Sequence, residues 1–246
     1  MARAWENGLT HILVPGIDID ACHKAVQISQ KNTKIHAAVG IHPNDALTWD
    51  NKTLPELRKL AADPTVVAIG EIGLDYYRDR APRDLQKEIF KTQLSLAAEV
   101  GKPVIVHSRN ALDDVIRLLQ EWQALLVQQG APLAERPGVL HSYAGGLLEA
   151  KAAINHHFYI GIGGVVTFKN AKTYQQMVAA LPLESLLIET DAPFLTPHPY
   201  RGQRNEPAYV TYVGEKIAEL HHKSISDIAD TTSKNAQKLF QWGDIV

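Results

Sequence analysis

Seven short apolar runs, each ending in polar or glycine residues, constrain the fold of this chain more than any other feature of its sequence. The runs are rich in β-branched residues and almost continuously hydrophobic, which is typical of strands covered on both faces in a parallel sheet. They are His11–Val14, Ile35–Val39, Val66–Ile69, Val104–Val106, Val139–Leu140, Phe158–Ile162 and Leu186–Ile188.

Stretches with helical spacing separate these runs. Arg83–Val100 carries its apolar residues on one stripe and is stopped by Gly101 and Pro103, and Ala111–Gln129 repeats the pattern. Because strands alternate with helices, the sequence predicts right-handed crossovers and a parallel sheet.

Polar residues are concentrated where the predicted strands finish. Histidine, glutamate or aspartate follows at least four of the strands, as at His42, Glu71, His107, His141 and Asp191. An α/β barrel builds its site from several loops at the C-terminal ends of its strands, whereas a doubly wound sheet gathers ligands at one crevice. We therefore expect an α/β protein with a TIM (β/α)₈-type barrel, formed by a single domain over residues 1–246.

The start of the chain indicates that this barrel is one strand short. Met1–Asn7 followed by Gly8 is typical of the last turns of a helix and its glycine cap. A closed (β/α)₈ barrel needs eight strands, and the pattern supplies seven. We expect the missing strand to be the first.

Composition limits the function only weakly. The formal net charge of −2 provides no overall basic surface for nucleic acid, but a bound metal supplies local positive charge that composition does not count. The single cysteine, Cys22, excludes an intrachain disulfide and favours a cytoplasmic location. No leader or membrane-spanning stretch is expected, since no apolar run approaches the roughly 18 residues required.

Four residues form the candidate metal set. Glu71 lies between glycines at the end of an apolar strand, where a carboxylate is costly unless it has a salt-bridge partner or a bound cation. His107 and His141 would each more often be structural alone, but two at equivalent strand ends beside a glutamate favour a metal site. Asp191 can hold a metal and accept the proton of an attacking water; the alternative is a turn residue before Pro193.

Other residues are candidates for substrate contact. His42 is a ligand, a phosphate contact or a turn residue, and we prefer substrate contact. Arg109 can grip a phosphate or form a surface salt bridge, and Arg201 and Arg204 contact phosphates or lie in a solvated loop. Glu189 is assigned a supporting role behind the ligands.

The glycine-rich segment at 161–164 follows a strand but lacks dinucleotide-binding spacing. We expect it to allow close approach of a bulky substrate.

Six segments together resemble the TatD family. They are Gly-Ile-His-Pro at 40–43, Gly-Glu-Ile-Gly-Leu-Asp at 70–75, Val-His-Ser-Arg at 106–109, Leu-His-Ser-Tyr at 140–143, Glu-Thr-Asp-Ala-Pro at 189–193 and Arg-Gly-x-x-Asn-x-Pro at 201–207. The match covers almost the whole chain in the family's order and spacing.

The resemblance implies a metal-dependent hydrolase on a TIM barrel, most often a deoxyribonuclease. It implies two divalent ions (Mg²⁺, Mn²⁺ or Zn²⁺) bridged by Glu71, with His107 and His141 serving one ion. Asp191 would serve the other ion and handle the nucleophilic water, so that Asp191 and Glu71 are the catalytic residues. The C-terminal motif adds Asn205 to the substrate-binding set.

One departure from the family is specific. The family opens with a strand bearing a His-x-His pair that serves the same ion as Asp191, and no such pair occurs here. Either Met1 is an internal start of a longer protein or the chain is truncated. We expect weaker metal affinity, reduced activity and an exposed seam with unpaired strand edges, in a monomer or weak dimer.

Three functions remain open on the sequence. The leading one is 3′-5′ exonuclease-like hydrolysis of DNA phosphodiester bonds by metal-activated water. The second is hydrolysis of an amide or ester, such as D-aminoacyl-tRNA deacylation; Glu71 stands where related amidohydrolases often carry a modified lysine, which favours the nuclease. The third is an inactive remnant that binds nucleic acid or protein.

Overall fold

In the part of the chain that the structure describes, seven parallel strands, each followed by helical structure, form one sheet in the order β1-β2-β3-β4-β5-β6-β7. The computed structural model describes residues 1–78 and 80–242; the predicted domain of residues 1–246 thus includes Asp79 and residues 243–246, which lie outside the described residues. The strands are β1 (Ile12–Pro15), β2 (Ile35–Val39), β3 (Val66–Asp75), β4 (Val104–Arg109), β5 (Gly138–Leu140), β6 (Tyr159–Ile162) and β7 (Leu186–Ile188). The α-helices are α1 (Ala2–Glu6), α2 (Ile19–Gln30), α3 (Thr53–Ala61), α4 (Arg83–Val100), α5 (Leu112–Gln128), α6 (Leu147–Asn155), α7 (Lys172–Ala179), α8 (Val210–His221) and α9 (Ile225–Phe240).

Two strands continue well beyond their apolar runs. β3 reaches Asp75 and β4 reaches Arg109, because the two pair with each other along this extension, with Gly73 opposite His107 and Asp75 opposite Arg109. The prediction that Glu71 and His107 follow their strands is therefore corrected: both lie within strands. His107 lies opposite Gly73 in the sheet, whereas Glu71 lies at the register shift between Ile69 and Ile72, and its N–H donates to Gly16 O over 3.0 Å.

The sheet curls as a TIM-type barrel with one strand fewer than the closed form, as the sequence predicts. Within residues 1–78 and 80–242, β1 pairs only with β2 and β7 pairs only with β6, so the barrel is open between β1 and β7. All four residues of β1 are only partly buried. This is the seam expected from the strand count.

Helix α1 and its glycine are also where the sequence predicts them. Gly8 follows the helix with a φ of 83°, a left-handed conformation that glycine adopts without strain. The helix lies against the segment after β7, since Arg3 forms an ion pair with Glu206 and Asn7 Nδ2 donates to Ala208 O over 3.3 Å. Helix α1, which precedes β1, is thereby held against the segment that follows β7.

Two apolar layers cover the two faces of the sheet. The outer layer packs the strands against the helices and runs from Cys22 to Ile228 as one continuous core. The inner layer takes alternate strand residues and packs them against the end of α9; its members are Leu13, Ala38, Val67, Ala68, Ile105, Val139, Tyr159, Leu187, Ala236, Leu239, Phe240 and Trp242. Helix α9 thus closes the barrel end opposite the loops that follow the strands.

None of the described helices has the length and apolarity that crossing a bilayer requires.

Asn235 connects this closing helix to the edge strand β7. It is 8% exposed, and its Nδ2 donates to Leu183 O and Leu186 O, each over 2.8 Å. These bonds satisfy two carbonyls at the start of β7.

Replacing Asn235 with alanine leaves both carbonyls without their partner. We expect Asn235→Ala to lower the free energy of unfolding by about 2 kcal/mol, the usual cost of unsatisfied buried polar groups. Urea denaturation measures the change, with Lys234→Ala, on the exposed neighbouring residue of α9, as the matched control. Equal stability of the two variants would contradict this role.

Candidate metal centre

Three side chains from neighbouring strands meet at the C-terminal end of the barrel. His107 Nδ1 lies 3.0 Å and His42 Nε2 3.7 Å from Glu71 Oε1. One ligand atom from each of the three residues lies within 4.8 Å of those of the other two. Their side chains are only 12% to 19% exposed. Sequence reasoning gave His42 to substrate contact, yet the structure places it beside Glu71 in ligand geometry.

The spacing of these atoms fits a small divalent cation. Ligand atoms about 2.1 Å from a tetrahedral zinc ion lie about 3.4 Å apart. The two separations from Glu71 Oε1, 3.0 Å and 3.7 Å, bracket that value. Two imidazoles and a carboxylate are also the donor types that zinc, manganese and related ions take. The residues therefore fit a metal ion.

The electrostatics keep Glu71 ionised. Burial raises the pKa of Glu71, but His141, the hydrogen bond and charge of His107, and His42 outweigh it and lower that pKa to about 2. Burial also lowers the pKa of His42 to about 4, against the opposing effect of the Glu71 charge. Near neutral pH the centre thus presents a carboxylate and a neutral His42 imidazole, the forms that bind metals.

Asp75 supports His107 from behind. Its Oδ2 lies 3.2 Å from His107 Nε2, while its Oδ1 accepts from the backbone N–H groups of Tyr77 and Arg78 over 3.0 Å and 2.9 Å. The residue is 1% exposed. A carboxylate on the second ring nitrogen fixes the orientation of a metal-binding imidazole. Sequence reasoning gave Asp75 no role, although its position within the Gly-Glu-Ile-Gly-Leu-Asp segment was the available signal.

A second group contains His141, Glu189 and Asp191. His141 Nδ1 lies 2.8 Å from Glu189 Oε2, and His141 Nε2 lies 3.4 Å from Asp191 Oδ1. Burial lowers the pKa of His141, but Glu189, Glu71 and the hydrogen bond of Asp191 raise it well above its usual value. Because Glu71 contributes to this shift, the two groups lie next to each other. Glu189 contacts the His141 ring at Nδ1, which agrees with the supporting role predicted for it.

Asp191 is held in a tight turn after β7. Its φ is 53°, in the left-handed region, and Phe194 N donates to Asp191 O over 2.8 Å. Asn205, which is 3% exposed, donates through Nδ2 to Thr190 O and, over 2.6 Å, to Phe194 O. Asn205 therefore braces the turn; its substrate contact stays a prediction.

Two buried glutamines of α4 brace the other side of the site. Gln93 accepts from Ile41 N over 2.7 Å and donates to Ile41 O over 3.1 Å, next to His42. Gln86 does the same for the backbone of Asp75, over 2.9 Å and 3.1 Å. Both glutamines are 1% exposed. Sequence reasoning missed them, because polar residues within an amphipathic helix usually face solvent.

Gly161, within β6, and Gly164, just after it, are required by close contacts inside the protein. A Cβ on Gly161 would lie 2.6 Å from Glu189 Oε2, and one on Gly164 would lie 2.2 Å from Leu195 O. Gly161 makes room for the carboxylate beside His141, and Gly164 lets the segment after β7 pack closely. The expectation of close substrate approach is not needed to explain these two glycines.

The predicted arginines lie on the rim of the barrel. The guanidinium carbon of Arg109 is 3.9 Å from the ring centre of Tyr77, and that of Arg201 is 3.6 Å from the ring centre of Phe168. Arg204 is exposed. Arg109 ends β4, and Arg201 and Arg204 lie in the segment after β7; their contact with phosphate stays a prediction.

A histidine–carboxylate centre at the C-terminal ends of barrel strands defines a metal-dependent hydrolase, and comparison with known proteins agrees. The model of the TatD related DNase family matches residues 1–241. An uncharacterized metal-dependent hydrolase of Bacillus subtilis, YabD, is 43% identical over 239 residues, which is 97% of this chain and 90% of that protein. The 3′-5′ ssDNA/RNA exonuclease TatD of Escherichia coli K12 is 34% identical over 98% of this chain and 91% of its own length.

Solved structures show the same relationship. The crystal structure of the TatD homolog YJJV from Escherichia coli superimposes with a TM-score of 0.89 at 30% identity, covering 98% of this chain and 90% of that one. This chain belongs to the TatD family and is a metal-dependent hydrolase of that family.

The Asp75–His107 contact yields a test of the centre. In Asp75→Asn an amide group can face His107 Nε2, so the ring loses a carboxylate partner while the side-chain shape is kept. We expect the affinity for Mn²⁺ or Zn²⁺, measured by isothermal titration calorimetry, to fall by about 10- to 100-fold.

Asp230→Asn removes an exposed carboxylate of α9 and is the matched control, for which we expect no change. An Asp75→Asn protein that binds metal like the unsubstituted one would show that Asp75 does not orient His107.

Proposed function

We propose that this hydrolase cleaves phosphodiester bonds of nucleic acid, DNA in particular, in the manner of a 3′-5′ exonuclease. The observation that carries the proposal is the triad of His42, Glu71 and His107, whose Glu71 interacts electrostatically with His141 of the His141–Asp191 pair. The exonuclease name of several relatives that are about one-third identical supports it.

The triad would hold a divalent cation, Mg²⁺, Mn²⁺ or Zn²⁺, through His42 Nε2, Glu71 Oε1 and His107 Nδ1. Such a cation lowers the pKa of water and stabilises negative charge on a phosphoryl oxygen. Glu71 keeps its second oxygen free to face the Asp191 side, since a carboxylate has two oxygens and several lone pairs. Asp75 and the α4 glutamines hold the ligands in place before substrate arrives.

Asp191 would act as the base. Its carboxylate is 30% exposed beside His141 Nε2, so a water at the open end of the barrel can reach it and give up a proton to it. Glu189 holds the His141 ring from the opposite side through Nδ1. Arg109, Arg201 and Arg204 would contact the phosphates of the substrate chain.

A second cation would take Glu71 and Asp191 as its ligands from this chain, with His141 serving the first cation as the family resemblance implies. Two protein carboxylates provide few bonds for tight binding. We therefore propose that activity rises only at metal concentrations above those that fill the triad. We also propose a single domain over residues 1–246, a cytoplasmic location, and a monomer or weak dimer.

The decisive assay follows release of nucleotides from single-stranded DNA labelled at its 5′ end. With Mn²⁺ we expect stepwise shortening from the 3′ end, and we expect Glu71→Gln to reduce it to the rate without metal, because the triad loses its charged ligand. Glu135→Gln, at a carboxylate whose side chain is 76% exposed, is the control and should retain full activity.

Two results would contradict the proposal. Hydrolysis of a D-aminoacyl ester or an amide without nucleotide release would favour the alternative hydrolase class. Failure to bind Mn²⁺, together with binding of DNA, would favour a non-catalytic nucleic-acid-binding protein.

A further inference from the structure

We infer that two arginine-on-aromatic pairs on the barrel rim, Tyr77–Arg109 and Phe168–Arg201, bind unpaired bases of single-stranded nucleic acid. The inference rests on the proposed function and specifies the form of its substrate.

The first pair stands at the ends of β3 and β4. Arg109 lies 3.9 Å over the Tyr77 ring, yet Tyr77 is still 60% exposed. A guanidinium on one face of a ring that remains so open leaves apolar ring surface for another planar group. Tyr77 is unusual in this respect, because large aromatic side chains are normally buried.

The pair is tied to the metal centre through Asp75. Tyr77 N donates to Asp75 Oδ1 over 3.0 Å, and Asp75 Oδ2 contacts His107 Nε2 over 3.2 Å. Tyr76 N donates to Arg109 O over 2.9 Å, which holds the two rim segments together. A base stacked at Tyr77 would thus have its phosphate close to the ligand strands.

The second pair lies farther along the rim, after β6. Arg201 lies 3.6 Å over Phe168, and His198 meets the same ring edge-on at a centroid distance of 6.3 Å. His198 N donates to Thr167 Oγ1 over 2.9 Å, so the segment after β7 is anchored on the loop after β6. One strand, β5, stands between β4, which carries Arg109, and β6, which precedes Phe168.

The rim carries several of the exposed large hydrophobic side chains, while Phe168 itself is half-buried. Large hydrophobic residues stand exposed in the loops that follow the strands: Ile17, Leu47, Tyr77, Phe194 and Leu195. Among residues 1–78 and 80–242 no carboxylate forms an ion pair with Arg109 or Arg201. The rim therefore combines planar apolar surface with uncompensated positive charge.

Single-stranded nucleic acid is the ligand with the matching chemistry. Its bases offer flat apolar faces that stack on aromatic rings, and its phosphates pair with guanidinium groups. In a duplex the bases are already paired and stacked, so they cannot lie on Tyr77 or Phe168. The two pairs thus favour unpaired ends and single strands over duplex DNA.

Binding without hydrolysis tests the inference. The full chain, kept free of metal with EDTA, is titrated into fluorescein-labelled oligo-dT, into an abasic oligonucleotide of equal length and into a duplex, with anisotropy as the readout. We expect oligo-dT to bind more tightly than the other two. Tyr77→Ala and Phe168→Ala should each weaken oligo-dT binding by about tenfold, the usual contribution of one stacked base, and leave abasic binding unchanged.

Further variants distinguish the contribution of the aromatic ring to binding from that of the guanidinium charge. Tyr77→Phe keeps the ring and should bind oligo-dT normally, whereas Arg109→Ala should weaken both single-stranded probes because it removes a phosphate contact. Leu125→Ala, at a residue of α5 that is 53% exposed, is the control for loss of exposed apolar surface away from the rim and should change nothing.

The result that overturns the inference is equal binding of oligo-dT and the abasic probe, tighter binding of the duplex, or unchanged oligo-dT affinity in both alanine variants. Failure of the proposed function is measured separately, with bis(p-nitrophenyl) phosphate, a phosphodiester without bases. No hydrolysis of it with Mn²⁺ would contradict the phosphodiesterase, while base-dependent binding in EDTA would still support the two stacking pairs.

Discussion

The contact of Glu71 with the imidazoles around it is the interaction on which the rest of this structure depends. A carboxylate that is 12% exposed within a buried strand is costly unless positive charge or hydrogen-bond donors surround it. His42, His107 and His141 come from three other strand ends to provide this environment. The curled parallel sheet brings those strand ends together, so the metal centre depends on the barrel fold.

The two sides of the centre differ in how firmly they are held. His42, Glu71 and His107 stand on or beside β2, β3 and β4, each paired on both sides, and buried Gln86 and Gln93 fix the adjoining backbone. Asp191 instead follows β7, an edge strand among the described residues, and depends on Asn205 for its turn. The triad is therefore preorganised by the sheet. Asp191, in contrast, follows a strand that is paired on one side only among the described residues. This asymmetry is the physical reason to expect one firm metal position and one weak one.

Much of this was predictable from residue patterns. The apolar runs located each of the seven strands found among the described residues, and the glycine and proline after Val100 ended α4 at the right residue. The spacing of Glu71, His107, His141 and Asp191 indicated a common site because parallel strands carry their C-terminal ends to one edge. Each of the four lies at that edge in the structure.

What could not be predicted depends on contacts between distant segments. Nothing local to Asp75 indicates that its carboxylate lies behind His107, and nothing in an amphipathic helix marks Gln86 and Gln93 as buried braces. His42 was left open as a ligand, a phosphate contact or a turn residue, with substrate contact preferred. Its ligand geometry appears only when β2 lies beside β3. The apolar run of β3 ended at Ile69 in the sequence, but pairing with β4 extends the strand to Asp75.

The most direct test of the central claim is anomalous diffraction at the manganese edge from crystals of this chain grown with Mn²⁺. We expect a strong peak about 2.0–2.3 Å from His42 Nε2, Glu71 Oε1 and His107 Nδ1, which are typical metal–ligand distances, and a weaker or partial peak between Glu71 and Asp191. A strong peak away from Glu71, or no peak at the triad in a protein that binds Mn²⁺ in solution, would contradict the account.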